Sequence, residues 1–213
     1  ETMLHEGGHA FHFLAAAEAE PLVFVRHAPL EFCEVASMSM ELLADEHLGV
    51  YYADEADAAR AVRVHLEGIA KVLTWIATID QFQHWVYANP TLSREQRTEA
   101  WLEVMGRFSS KLIDWTGCED ARAATWQRQL HLYHAPFYYI EYGIAQLGAL
   151  QVWLNYRQDR KQALGQLLEA FALGGTRPLP ELFETAGIRF AFDAATIGPL
   201  VDAIETELAA LPV

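Results

Sequence analysis

Apolar residues recur at three- and four-residue spacing along almost all of the 213-residue chain, and the strict alternation of a half-buried strand is rare. A period near 3.6 commits the backbone to helices, so the fold class expected is all-α. The spacing predicts helices over 2–18, 30–48 and 55–87, the last closed by Asn89-Pro90. PLVFVRHAP (21–29) reads as an extended connector bounded by prolines. Ser93 with Gln96 forms a capping box for a helix ending near Trp115, and Thr116-Gly117 is a break. Further helices are predicted over 119–132, 136–157 and 160–173, then a loop through Gly174, Gly175, Pro178 and Pro180, then 180–186 and 194–209. No repeat, low-complexity tract or long linker interrupts the pattern, so residues 1–213 are expected to form a single helical domain.

With 52% hydrophobic residues the chain can bury a sizeable core. A formal charge of −14 disfavours phosphate backbones and anionic headgroups, which points away from nucleic acid and membranes as partners. The most apolar run, GIAQLGALQVWL (143–154), falls well short of the roughly 20 residues of a membrane span and holds two glutamines, so it reads as a buried helix. Cys33 and Cys118 form no disulfide framework; they read as structural thiols, and the expected compartment is the cytoplasm. No signal peptide is seen, and the first periodic residues arrive within a turn of the first residue. The expectation is therefore a C-terminal part of a longer protein.

That first helix contains HEGGH. Residues four apart share a helix face about 6 Å from each other, so His5 and His9 can offer two imidazole nitrogens to one ion, with Glu6 beside them. A catalytic zinc takes three protein ligands and leaves a fourth position open, and Glu34, at the start of the second helix, is the candidate for the third. The plain alternative for Glu34 is a solvated carboxylate favoured by the helix dipole. Glu41 returns to nearly the same face two turns later, where it could accept a hydrogen bond from the outer nitrogen of a ligand histidine. His12 extends the histidine row but is expected to pack or cap rather than bind metal.

HEGGHAFH, followed 25 residues after its second histidine by the glutamate of EFCEVASMSME, resembles the thimet oligopeptidase and oligoendopeptidase F family of zinc peptidases. That family carries HExGH and then F-x-E-x-x-S-x-x-x-E, which Phe32, Glu34, Ser37 and Glu41 match in order. HLYHAPFYYIEYGIAQL (131–147) is similar to its His- and Tyr-rich segment, and LGGTRPLPELFETAGIRF (173–190) to its C-terminal loop and helix. The resemblance implies His5, His9 and Glu34 as ligands of one Zn2+ per chain and Glu6 as general base. It implies His131, Tyr139 and Tyr142 as substrate-contacting or oxyanion-stabilising groups, with His134 and Tyr138 as near alternatives in a substrate-binding role. It also implies endopeptidase action on short unstructured peptides, in a fold of which this chain is one half of a channel. Core packing is the ordinary alternative for an aromatic cluster at helical spacing.

Two other functions fit the same residues. A helical metallocarboxypeptidase also carries HExxH, and only an endopeptidase cleaves a peptide blocked at both ends. A non-catalytic peptide-binding relic would have no reason to keep Glu6, which a decayed enzyme loses without structural penalty.

Overall fold

The structure is a computed structural model that describes residues 2–212, and among these no strand occurs: the elements are α-helices and short 3-10 turns. The helices are α1 (Thr2–Ala19), α2 (Leu30–Ala44), α3 (Glu55–Ala88), α4 (Arg94–Phe108), α5 (Glu119–Ala124), α6 (His131–His134), α7 (Ile140–Gln158), α8 (Arg160–Ala172), α9 (Leu179–Thr185) and α10 (Ala194–Ala210). No helix among the described residues is long and apolar enough to cross a membrane.

The chain sorts into two compact units whose boundaries fall inside α3 and α7, which is why composition marks no linker between them. One unit takes the residues up to Glu67 and those from Ile144 onward. Its core is built around Phe32, Val35, Ala36, Phe171, Leu182 and Phe183, so that α2, α8 and α9 bury their apolar faces on one another. On α1 the buried positions are Gly8, His12 and Ala16, a stripe at four-residue intervals that faces α2 and α8. The predicted connector at 21–29 is not wholly extended: Val23–Val25 forms a 3-10 turn, and the Val25 carbonyl accepts from the Gly175 N–H at 2.8 Å. Gly174 has φ +50°, and a Cβ there would lie 2.9 Å from the carbonyl oxygens of Val25 and Arg26, so the glycines of the 173–180 loop allow this backbone contact. The second helix ends at Ala44 rather than 48, tightening to a 3-10 turn over Asp45–Val50.

The other unit is Gly68–Gly143. Trp101, fully buried on α4, packs against Phe82 at 5.2 Å and Trp75 at 5.8 Å between ring centroids, and Phe82 meets Trp126 at 5.4 Å. The Ser93–Gln96 capping box forms as predicted, with the two reciprocal hydrogen bonds. Three boundaries differ from the sequence reading. The fourth helix stops at Phe108, where Ser109 turns to extended backbone, rather than near Trp115. The helix expected over 119–132 breaks into α5, a 3-10 turn at Thr125–Arg128 and α6, because the Trp101 indole and the Thr125 hydroxyl both donate to the Arg122 carbonyl. The helix expected from 136 begins at Ile140, because Phe137 has φ 61°, outside the right-handed helical region. Such a φ costs a bulky side chain roughly 1–2 kcal/mol. The Phe137 N–H donating to the Gln83 Oε1 at 3.0 Å, and ring contacts with His84 and Tyr87, hold it there.

Candidate metal centre

The centre is built where α1 crosses α2, and Gly8 sets how closely they approach. A Cβ at Gly8 would lie 2.5 Å from the Ser37 Cα and 2.6 Å from the Ala36 carbonyl oxygen, so only a residue without one fits. Gly7 has no such neighbour. At that crossing His5 and His9 on α1 stand edge to face, 4.9 Å apart, above Glu34 on α2. The Glu34 Oε2 lies 3.4 Å from the His5 Nε2 and 3.9 Å from the His9 Nε2. One donor atom from each of the three residues falls within 4.8 Å of the other two. Tetrahedral zinc with bonds of roughly 2.0–2.1 Å separates its ligand atoms by about 3.4 Å, so this N, N, O donor set fits such an ion with the His9 side slightly open.

Groups behind two of the three donors, His5 and Glu34, fix their orientation. The Glu41 Oε1 accepts from the His5 Nδ1 at 2.6 Å, which places the His5 proton on Nδ1 and leaves the Nε2 lone pair toward Glu34. The other Glu41 oxygen lies 3.3 Å from the His65 Nε2, and the His65 Nδ1 lies 3.3 Å from Asp45. Both His65 nitrogens therefore face acceptors. Burial alone would lower the His65 pKa, but the hydrogen bonds to Asp45 and Glu41 outweigh it and raise it to about 9. For Glu41, burial pushes upward and the His65 and His5 hydrogen bonds bring it below its ordinary value. The Ser37 hydroxyl, one turn beyond Glu34, lies within hydrogen-bond distance of the Glu34 Oε2 (3.1 Å) and of its own-helix carbonyl (3.0 Å). Glu6 is exposed, one residue past His5 and three before His9.

His12 is buried and stacks on Phe171 at 4.8 Å with Phe32 edge-on, so it packs as expected. Burial, then the neighbouring His9 and His27, lower its pKa to about 4, which keeps the ring neutral. A cavity of about 310 Å3 opens beside His9 and Glu34, walled by Phe13, His27 and Leu30. Cys33 is partly buried there and burial raises its thiol pKa, whereas Cys118 is exposed ahead of α5; both are free.

In the Gly68–Gly143 unit, His131 sits within a ring cluster: Tyr138 stacks on it at 5.7 Å and 14°, Tyr139 lies at 4.8 Å, and Tyr142 meets it edge-on at 6.0 Å. The left-handed turn at Phe137 reverses the chain between α6 and the tyrosines. Burial, then the neighbouring Tyr142, raise the Tyr139 phenol, and a hydrogen bond with Trp75 holds it partly down. His134 is exposed. The Gln129 Nε2 contacts the His131 Nδ1 at 2.6 Å, and the Trp75 Nε1 donates to the Gln129 Oε1 at 3.1 Å.

Sequence reasoning did not single out Ser37 as a partner of Glu34, nor His65, Asp45, Gln129 or Trp75 as supports. Ser37 and Gln129 had a signal, lying three and two residues from Glu34 and His131; His65, Asp45 and Trp75 meet their partners through the fold.

Comparison with known proteins bears on this arrangement. The model of peptidase family M3 matches residues 1–199. The oligoendopeptidase F homolog of Borreliella burgdorferi is 21% identical over 189 residues, covering 85% of this chain and 31% of that protein. Among solved structures, PZ peptidase A bound to an inhibitor superposes with a TM-score of 0.87 at 31% identity, over 98% of this chain and 37% of that one. A Bacillus anthracis protein assigned as an oligoendopeptidase F gives 0.77 at 29% identity, over 98% and 34%. The chain spans about a third of the length of these relatives.

Proposed function

The chain belongs to peptidase family M3, and from that premise we propose that it carries the zinc-dependent catalytic centre of an oligopeptidase that cleaves short, unstructured peptides. One observation carries the reading: His5, His9 and Glu34 bring three donor atoms of the right chemistry to one point, on two helices held together by Gly8.

His5, His9 and Glu34 would hold the zinc, whose contribution is to polarise the scissile carbonyl and to make water acidic near neutral pH. Glu6, exposed beside the ligands, takes a proton from the attacking water on its carboxylate and delivers it to the leaving amine. Glu41 holds the His5 proton on Nδ1, and Ser37 steadies the Glu34 carboxylate. The cavity beside His9 and Glu34 has room for a peptide side chain. The part of His131, Tyr139 and Tyr142, with His134 and Tyr138 as alternatives, rests on the resemblance of 131–142 to the family's His- and Tyr-rich segment. A hydrogen bond from one of them to the developing oxyanion is a contact whose loss costs roughly 3 kcal/mol. Soluble peptides in the cytoplasm are the substrates this reading implies.

The test is metal analysis of the protein carrying this chain, coupled to hydrolysis of a fluorescence-quenched peptide blocked at both ends, with and without chelator. One zinc per chain and chelator-sensitive internal cleavage are expected. Cleavage indifferent to chelator, or confined to free C-termini, would overturn it.

A further inference from the structure

We propose that Gln129 and Trp75 are positioning residues that lock His131 in the tautomer bearing its proton on Nε2, so that the ring presents a hydrogen-bond donor at that atom. The functional meaning rests on the reading of His131 as a substrate contact.

Two groups beside His131 can hydrogen-bond in one sense only. An indole N–H can donate and cannot accept. The Trp75 N–H, which also lies near the Tyr139 phenol, points at a terminal atom of the Gln129 amide 3.1 Å away, so that atom must be the oxygen. The amide NH2 is then turned the other way, where it meets the His131 Nδ1 at 2.6 Å. An NH2 group offers hydrogens and no lone pair, so Nδ1 must accept and carries no proton. A singly protonated imidazole with a bare Nδ1 has its hydrogen on Nε2.

Neighbouring contacts keep each member of this chain in place. The Arg128 guanidinium lies over the Trp75 ring at 5.1 Å, and Trp101 abuts the same ring edge-on. His131 packs on Tyr138, stacked at 14°, and on Tyr139, tilted at 4.8 Å, so tilting its ring out of plane would disturb these contacts, while the Gln129 amide distinguishes its two edges. An Nε2–H donor with a fixed direction is the group that a developing oxyanion requires. A histidine of the opposite tautomer would offer a lone pair there instead and would repel it.

Gln129→Glu reverses the polarity with little change of shape. One carboxylate oxygen still accepts from Trp75, while the other now faces His131 as an acceptor and demands a proton on Nδ1. The experiment is 15N-detected NMR of histidine-labelled protein at a pH where the ring is neutral, with the His131 signals assigned by their loss in His131→Gln. In the wild type, Nδ1 should resonate as an unprotonated ring nitrogen and Nε2 as a protonated one. In Gln129→Glu the two should exchange character, and Trp75→Phe, which frees the amide to turn, should give a mixture. A protonated Nδ1 in the wild type, or an unchanged spectrum in Gln129→Glu, would overturn the proposal. Turnover is read in parallel: kcat should fall about 100-fold or more in Gln129→Glu with little change in KM. If the tautomers exchange as stated but kcat does not move, the positioning role stands and His131 as a substrate contact falls.

Discussion

The His5 Nδ1 lies 2.6 Å from the Glu41 Oε1, a hydrogen bond between a candidate ligand on α1 and a carboxylate seven residues past Glu34 on α2. Because the bond consumes the Nδ1 proton, it leaves Nε2 as the only His5 atom able to bind a metal. Glu41→Ala should therefore weaken zinc binding by roughly 10- to 100-fold while leaving the ligands in place. Competition against a chromophoric chelator measures this, and an unchanged affinity would show that the tautomer is set by something else.

The two glycines of HEGGH should answer differently to the same change. Gly7→Ala meets no neighbour and should stabilise α1 by up to about 1 kcal/mol through helix propensity. Gly8→Ala drives a methyl into the α2 backbone and should cost about 1–3 kcal/mol or more, with loss of zinc affinity as His5 and His9 lift away from Glu34. Thermal unfolding and metal titration of the pair decide it; equal effects would mean that the helix crossing does not depend on Gly8.

The Glu41–His65–Asp45 arrangement predicts a pH dependence. The His65 pKa rises from 6.5 to about 9 on folding, so the folded state binds its proton more tightly than the unfolded chain does. The stabilisation from this group is complete below pH 6.5 and is lost as pH climbs through about 9. Denaturant unfolding of wild type and His65→Gln across that window should show the wild-type advantage shrinking as pH rises. A constant or growing difference would contradict the ion-pair geometry.

Glu6 and Glu34 should separate cleanly by substitution. Glu6→Gln should keep zinc and lose most turnover, because the lost function is proton transfer; equal loss of metal and activity would remove Glu6 as the base. Glu34→Ala should lose zinc far more than Glu31→Ala, three residues earlier on α2. If both kept stoichiometric zinc, the third ligand would be another residue.

Much of this was legible in the sequence because it is local. The 3.6-residue period located the helices, Ser93 and Gln96 announced a cap three residues apart, and His5 and His9 share a face by spacing alone. Glu34 needed the resemblance as well, since 25 residues and a connector separate it from His9. What could not be read is made by tertiary contact. The Arg122 carbonyl is taken by Trp101 from another helix, which breaks a segment whose own periodicity is helical. Phe137 adopts a left-handed backbone only because Gln83 and two rings hold it. His65 comes to Glu41 from α3 and meets Asp45, in the turn after α2, through its other nitrogen, with no spacing in the chain that relates either to HEGGH.

Anomalous diffraction at the zinc edge from crystals of the metal-loaded protein tests whether His5, His9 and Glu34 form one metal centre. A single strong peak is expected within about 2.0–2.2 Å of the His5 Nε2, a His9 ring nitrogen and a Glu34 carboxylate oxygen. A peak held by other residues, or one that leaves Glu34 outside bonding distance, would contradict it.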